Sequence, residues 1–152
     1  MLFRSAFADD PIDMLRIFHV ADARGLDIHP KALRLITQNL KRLDRSLRKS
    51  AEANRLFMDM LTSRRDPETA LKRLNEAGVL GRFIPDFGRI VAQVQHDMYH
   101  VYTVDEHTIR AVGVLAGIER GDYAETLPRS EEHTSELQSQ AYLVCRLLFE
   151  QK

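Results

Sequence analysis

Pro30-Lys-Ala-Leu-Arg-Leu-Ile-Thr-Gln-Asn-Leu-Lys-Arg-Leu-Asp-Arg-Ser-Leu-Arg-Lys49 decides the fold class. Leu33, Ile36, Leu40, Leu43 and Leu47 recur at steps of three, four, three and four. That period gathers them on one side of an α-helix as a two-per-heptad seam. The seam lasts too few heptads for a free coiled coil, so it is expected to pack inside a helical bundle. Pro30 suits the first turn of such a helix, where its missing N–H costs nothing. The other face carries Lys41, Arg42, Arg45, Arg48 and Lys49. These bases read either as a phosphate-binding stripe or as a solvated helix face. No aromatic residues are interleaved with them, which favours the solvated face.

The pattern continues on both sides. Asp9, Asp10 and Pro11 mark a helix start, and Met14, Leu15, Phe18 and Ala21 repeat at helical spacing up to a stop at Gly25. His19 lies in that helix with no acid or histidine at ligand spacing, so it is expected to be packed or partly exposed. Ser50 can cap a third helix with Ala53, Leu56, Phe57, Met60 and Leu61 inward, where Met58 and Met60 serve as gap-filling apolar residues. Asp66 can cap a fourth, with Ala70, Leu71, Leu74 and Ala77 inward and Gly78 closing it. The connector 79–87 is apolar, and Gly81, Pro85 and Gly88 are expected to prevent one continuous helix there. No sustained period-two run and no internal repeat occur. The expected class is all-α: a helical bundle.

Composition narrows the function classes. The chain has 152 residues with 22 basic and 22 acidic side chains. A neutral body has no general attraction for nucleic acid or a membrane surface. No apolar run approaches the roughly 20 residues of a membrane span, and no signal-peptide core is present. A soluble cytoplasmic protein is expected.

The segment 129–152 reads differently from the rest. Residues 129–139 (RSEEHTSELQS) resemble one reading frame of a sequencing adapter. Residues 143–150 (LVCRLLFE) resemble its continuation except at Phe149, and residues 140–142 fall where a variable index would lie. This tail is therefore expected to be adapter-derived rather than native. The bland alternative is an amphipathic C-terminal helix using Leu137, Leu143, Leu147 and Leu148. The one cysteine, Cys145, lies inside the tail, so the remainder has no disulfide option.

Chemistry concentrates near residue 100. His96, His100 and His107 lie within a dozen residues, with Asp97, Asp105 and Glu106 between them. An apolar helical pattern follows through Val104, Ile109, Val112, Leu115 and Ile118. Imidazole and carboxylate groups are the usual ligands of Zn, Mn and Fe, and carboxylates also hold Mg. The spacing by itself is weak, because a single helical histidine more often packs or caps than binds metal. His96 and His100 would share a helix face, but no HExxH pattern accompanies them, which removes a zincin site.

Four segments carry a family resemblance: 14–18 (MLRIF), 55–61 (RLFMDML), 79–87 (VLGRFIPDF) and 99–108 (YHVYTVDEHT). Over residues 11–128 the chain resembles the bifunctional PII uridylyltransferase/uridylyl-removing enzymes. In that family a nucleotidyltransferase domain transfers UMP from UTP to the signalling protein PII, an HD domain holding a divalent metal (Mg or Mn) removes it, and ACT domains sense glutamine. The resemblance implies that residues 1–93 are the helical segment after the nucleotidyltransferase domain. Residues 94–128 would begin the HD domain, and 129–152 would be the adapter-derived tail. His107 matches the first HD metal ligand. The His-Asp doublet that should follow it is missing, and His96-Asp97 precedes it, so that pair receives no metal role. The Gly-Ser loop and Asp pair of the transferase are missing before Pro11. The chain alone is therefore expected to bind no metal tightly and to catalyse neither reaction, with no catalytic or cofactor-binding residue assigned. Two other readings stand beside this one. A stand-alone helical protein-binding module would use the Leu33–Leu47 seam. A small HD phosphohydrolase acting on another nucleotide would need a doublet downstream of His107.

Overall fold

A computed structural model of the chain describes residue 7, residues 9–92 and residues 103–124. Every regular element among them is helical, in agreement with the all-α expectation. The elements are α1 (Asp13–Arg24), α2 (Pro30–Asn39), α3 (Arg45–Arg48), α4 (Ala51–Leu61), α5 (Pro67–Glu76), α6 (Val79–Phe83), α7 (Pro85–Ala92) and α8 (Val104–Arg120).

Local chemistry sets most boundaries. α1 ends at Gly25, whose φ of 63° lies in the left-handed region that glycine enters without strain. His29 Nδ1 accepts from the Lys31 N–H at 3.1 Å and caps α2 ahead of Pro30. Ser50 Oγ accepts from Ala53 N–H at 3.4 Å at the start of α4. Asp66 Oδ1 accepts from Thr69 N–H at 3.0 Å at the start of α5, and Pro67 occupies the first helical position. The Ser50 and Asp66 caps are those that the sequence predicts.

The seam helix departs from expectation. α2 stops at Asn39, and Leu40–Arg42 tighten into a 3₁₀ turn. Leu43 takes φ −74°, ψ 73°, and Asp44 begins a new helix by accepting from Leu47 N–H at 3.0 Å. An Asp that can cap a following turn offers the backbone an alternative to continued helix. The bend carries Leu43 into the core with Ile36, while Leu33, Leu40 and Leu47 pack on its edge. Ile36 and Leu43 of the seam are thus enclosed in the bundle, while Leu33, Leu40 and Leu47 are half-buried against it.

The core lies between α1, α4, α5 and α6. Met14, Leu15, Phe18, Ile36, Phe57, Met60, Leu71, Leu74, Val79 and Phe83 are buried there. Phe57 and Phe83 place their ring centroids 5.2 Å apart in a tilted pair, which ties α4 to α6. Truncating a fully buried side chain such as Leu74 is expected to cost about 2–5 kcal/mol. Polar contacts hold the rim. Arg16 on α1 donates to Glu52 on α4 at 2.6 Å and to Asp13 at 2.8 Å. Arg65 Nη1 donates to the carbonyl of Ala23 at 3.2 Å, and Arg73 Nη1 to that of Leu26 at 3.0 Å, so two arginines satisfy the chain where α1 ends. His19 is half-buried and lies 3.2 Å from Asp59 on α4. The acid partner was missed in the sequence because it is forty residues away.

α6 and α7 cross at Gly81 and Gly88. A Cβ on Gly88 would sit 2.5 Å from the Gly81 carbonyl oxygen. As expected, no single helix spans the connector, and the break falls at Ile84 before Pro85. The two glycines themselves lie inside the two helices, and their small size lets the backbones touch.

Candidate functional site

α8 carries the histidine that the sequence singled out. Thr103 and Glu106 form a reciprocal capping box at its start, with Thr103 N–H donating to Glu106 Oε2 at 3.2 Å. Gly121, at φ 81°, closes the other end. The helix lies against α5. Ile109 is 2% exposed in that contact, and Val112 packs beside it. Gly113 fits over Glu68, where an added Cβ would come within 2.8 Å of the Glu68 Cβ.

The two acids beside His107 are engaged structurally. Asn75 Nδ2 on α5 donates to Asp105 Oδ2 at 2.8 Å. Partial burial opposes ionisation of Asp105. Hydrogen bonds from Thr103, from Asn75 and from the backbone at Asp105 and Glu106 outweigh it and hold the carboxyl below its ordinary range. Glu106 is taken by the capping box. His107 itself is exposed and lies on the side of α8 turned away from α5. Helical phase puts it among Val104, Ala111, Val114, Leu115 and Ile118. Val114 and Leu115 are 38% and 40% exposed. The apolar pattern of α8 therefore splits: Ile109 and Val112 enter the bundle, while Val104, Val114 and Leu115 face out with His107.

Among the described residues no three His, Cys, Asp or Glu side chains come together as a metal-binding group. His107 with its structurally occupied neighbours does not fit a catalytic metal on its own. His96, Asp97 and His100 lie outside the described residues, as does the whole of 129–152. No helix among the described residues is long and apolar enough to cross a membrane.

A family model, the uridylyltransferase GlnD third domain, matches residues 3–83, more than half of the chain. The chain belongs to the GlnD third-domain family. Its GlnD relatives include the bifunctional uridylyltransferase/uridylyl-removing enzyme of Azospirillum brasilense, 60% identical over 126 residues. That match covers 83% of this chain and 14% of the relative. The enzymes of the same name from Rhodospirillum rubrum and Novosphingobium aromaticivorans are each 51% identical, over 95% and 90% of this chain and 15% of their own lengths. The chain thus spans about one-seventh of the length of the curated GlnD relatives it matches. The 126-residue match is no longer than the stretch ending at Pro128, whereas the two longer ones reach beyond it. No solved structure matches the chain.

Two features of this site were not legible beforehand. The Asn75–Asp105 bond joins residues thirty apart, and nothing local signals it. The close approach of α6 and α7 left a trace, a pair of glycines seven residues apart, but it reads equally well as a break.

Proposed function

We propose that this chain is a piece of a bifunctional enzyme that attaches UMP to the PII signalling protein and removes it in response to glutamine. In this reading residues 1–93 are the helical segment that follows a nucleotidyltransferase domain, and α8 is the first helix of an HD-type hydrolase domain. Support comes from the GlnD family match and from relatives named as uridylyltransferase/uridylyl-removing enzymes. The complete protein would work in the cytoplasm on UTP and PII.

His107 is proposed as the first ligand of the divalent metal, Mg or Mn, of the complete HD domain. The observation that carries this is its orientation. It projects from the outer side of α8 beside exposed Val114 and Leu115, on a surface that further helices can cover. A ligand histidine needs such a position, because its partners must arrive from elements other than α5. A metal that polarises phosphate and activates water needs several protein ligands, and one imidazole does not supply them.

The 152-residue chain alone is therefore proposed to be inactive. Incubating it with UMP-modified PII and Mn²⁺, and separately with PII and UTP, tests this by mass spectrometry of PII. No change in PII mass is expected in either mixture. Release or attachment of UMP would overturn the assignment of the chain as an incomplete enzyme.

A further inference from the structure

Arg48 at the end of α3, Arg82 in α6 and Arg89 in α7 line one open cleft of about 560 Å³. Gly81 and Gly88 also line it, and an adjoining hollow of about 250 Å³ shares both glycines and Arg82. Of the five bases that form the predicted stripe, only Arg48 lines this cleft. It does so because the chain breaks at Leu43 and restarts at Asp44, which turns α3 away from the line of α2. Asn54 Nδ2 donates to the Arg48 carbonyl at 3.1 Å and fixes that turn.

The charges in the cleft are unequally engaged. Arg89 pairs with Asp86 at 2.9 Å. Among the described residues neither Arg48 nor Arg82 has a carboxylate partner. Asp44 lies on the same wall, but its Oδ1 already accepts from Leu47 N–H. Arginines lining one concavity can offer forked guanidinium N–H donors that match a phosphate group. No aromatic side chain lines the cleft and the chain is neutral overall, which disfavours a nucleic-acid strand.

We propose that the α3–α6–α7 cleft binds a phosphate-bearing small molecule of about mononucleotide size, with Arg48 and Arg82 holding the phosphate. The site is distinct from His107, and the inference stands whether or not the preceding reading of His107 holds. The test titrates pyrophosphate, and separately UMP, into the isotopically labelled 152-residue chain at constant ionic strength. Saturable NMR shifts are expected at the Arg48 and Arg82 side-chain N–H groups and at the Gly81 and Gly88 amides, with exposed Arg34 and Arg55 unmoved. The double variant R48Q/R82Q should bind at least about tenfold more weakly, as loss of two charge-assisted contacts requires. Linear shifts without saturation, equal movement of Arg34, or unchanged affinity in the double variant would overturn the proposal. Equal binding of citrate would also overturn it. If R48Q/R82Q does not fold, the shift pattern of the unmodified chain decides.

Discussion

Asn75 on α5 and Asp105 on α8 are joined by a hydrogen bond of 2.8 Å, and Asp105 is also held by Thr103 at the start of its own helix. One carboxylate thus fixes the first turn of α8 and docks it on the bundle. Removing Asn75 as N75A should destabilise the fold by about 1 kcal/mol at neutral pH, the usual worth of such a bond.

The same carboxylate gives a pH signature. Its folded pKa lies below the ordinary 3.8, so the ionised form is favoured by folding. That contribution is complete above the unfolded value and is lost as pH falls through 3.8 and then through the folded pKa. Urea midpoints measured from pH 7 down to pH 2.5 should fall more steeply in the unmodified chain than in D105N. Parallel curves would show that Asp105 gains nothing on folding.

Gly88→Ala should be among the costly small changes. The new methyl would meet the Gly81 carbonyl oxygen at 2.5 Å, and backbone on both sides leaves nothing flexible to give way. Overpacking of this kind costs about 1–3 kcal/mol, and G88A should lower the melting temperature accordingly. A melting temperature equal to that of the unmodified chain would mean that α6 and α7 do not cross at these glycines.

His107→Ala separates chemistry from stability. The side chain is exposed, so the 152-residue chain should lose no more than about 0.5 kcal/mol. In a full-length relative the matching substitution should abolish UMP removal and leave UMP transfer intact. Retained UMP removal would exclude the ligand role.

Sequencing the source DNA across the Pro128 codon, from an independent library, tests the reading of residues 129–152. The expected frame departs from RSEEHTSELQS and continues into a helix bearing a His-Asp doublet. Two relatives align over parts of this tail, so recovery of the same codons for Arg129 onward would establish it as native and remove the adapter explanation.

The helices themselves were readable because their signals are local. Apolar residues at three- and four-residue steps, Ser50 and Asp66 as caps, and Gly25 and Gly78 at helix ends each act within one turn. The same locality explains the misread seam. Leu33 to Leu47 keeps its period through the break, and Asp44 announces a new cap only once Leu43 has a core to enter.

Which face of α8 is buried was not readable. Ile109 and Leu115 belong to one apolar pattern, and only the position of α5 decides that the first is enclosed and the second exposed with His107. The arginine cleft is likewise a tertiary product, since Arg48, Arg82 and Arg89 come from three helices brought together by the break at Asp44 and the glycine crossing. By itself the sequence determined helix content, the Ser50 and Asp66 caps and the family. Partner choice between helices required the packed core, because burial depends on neighbours that are distant along the chain.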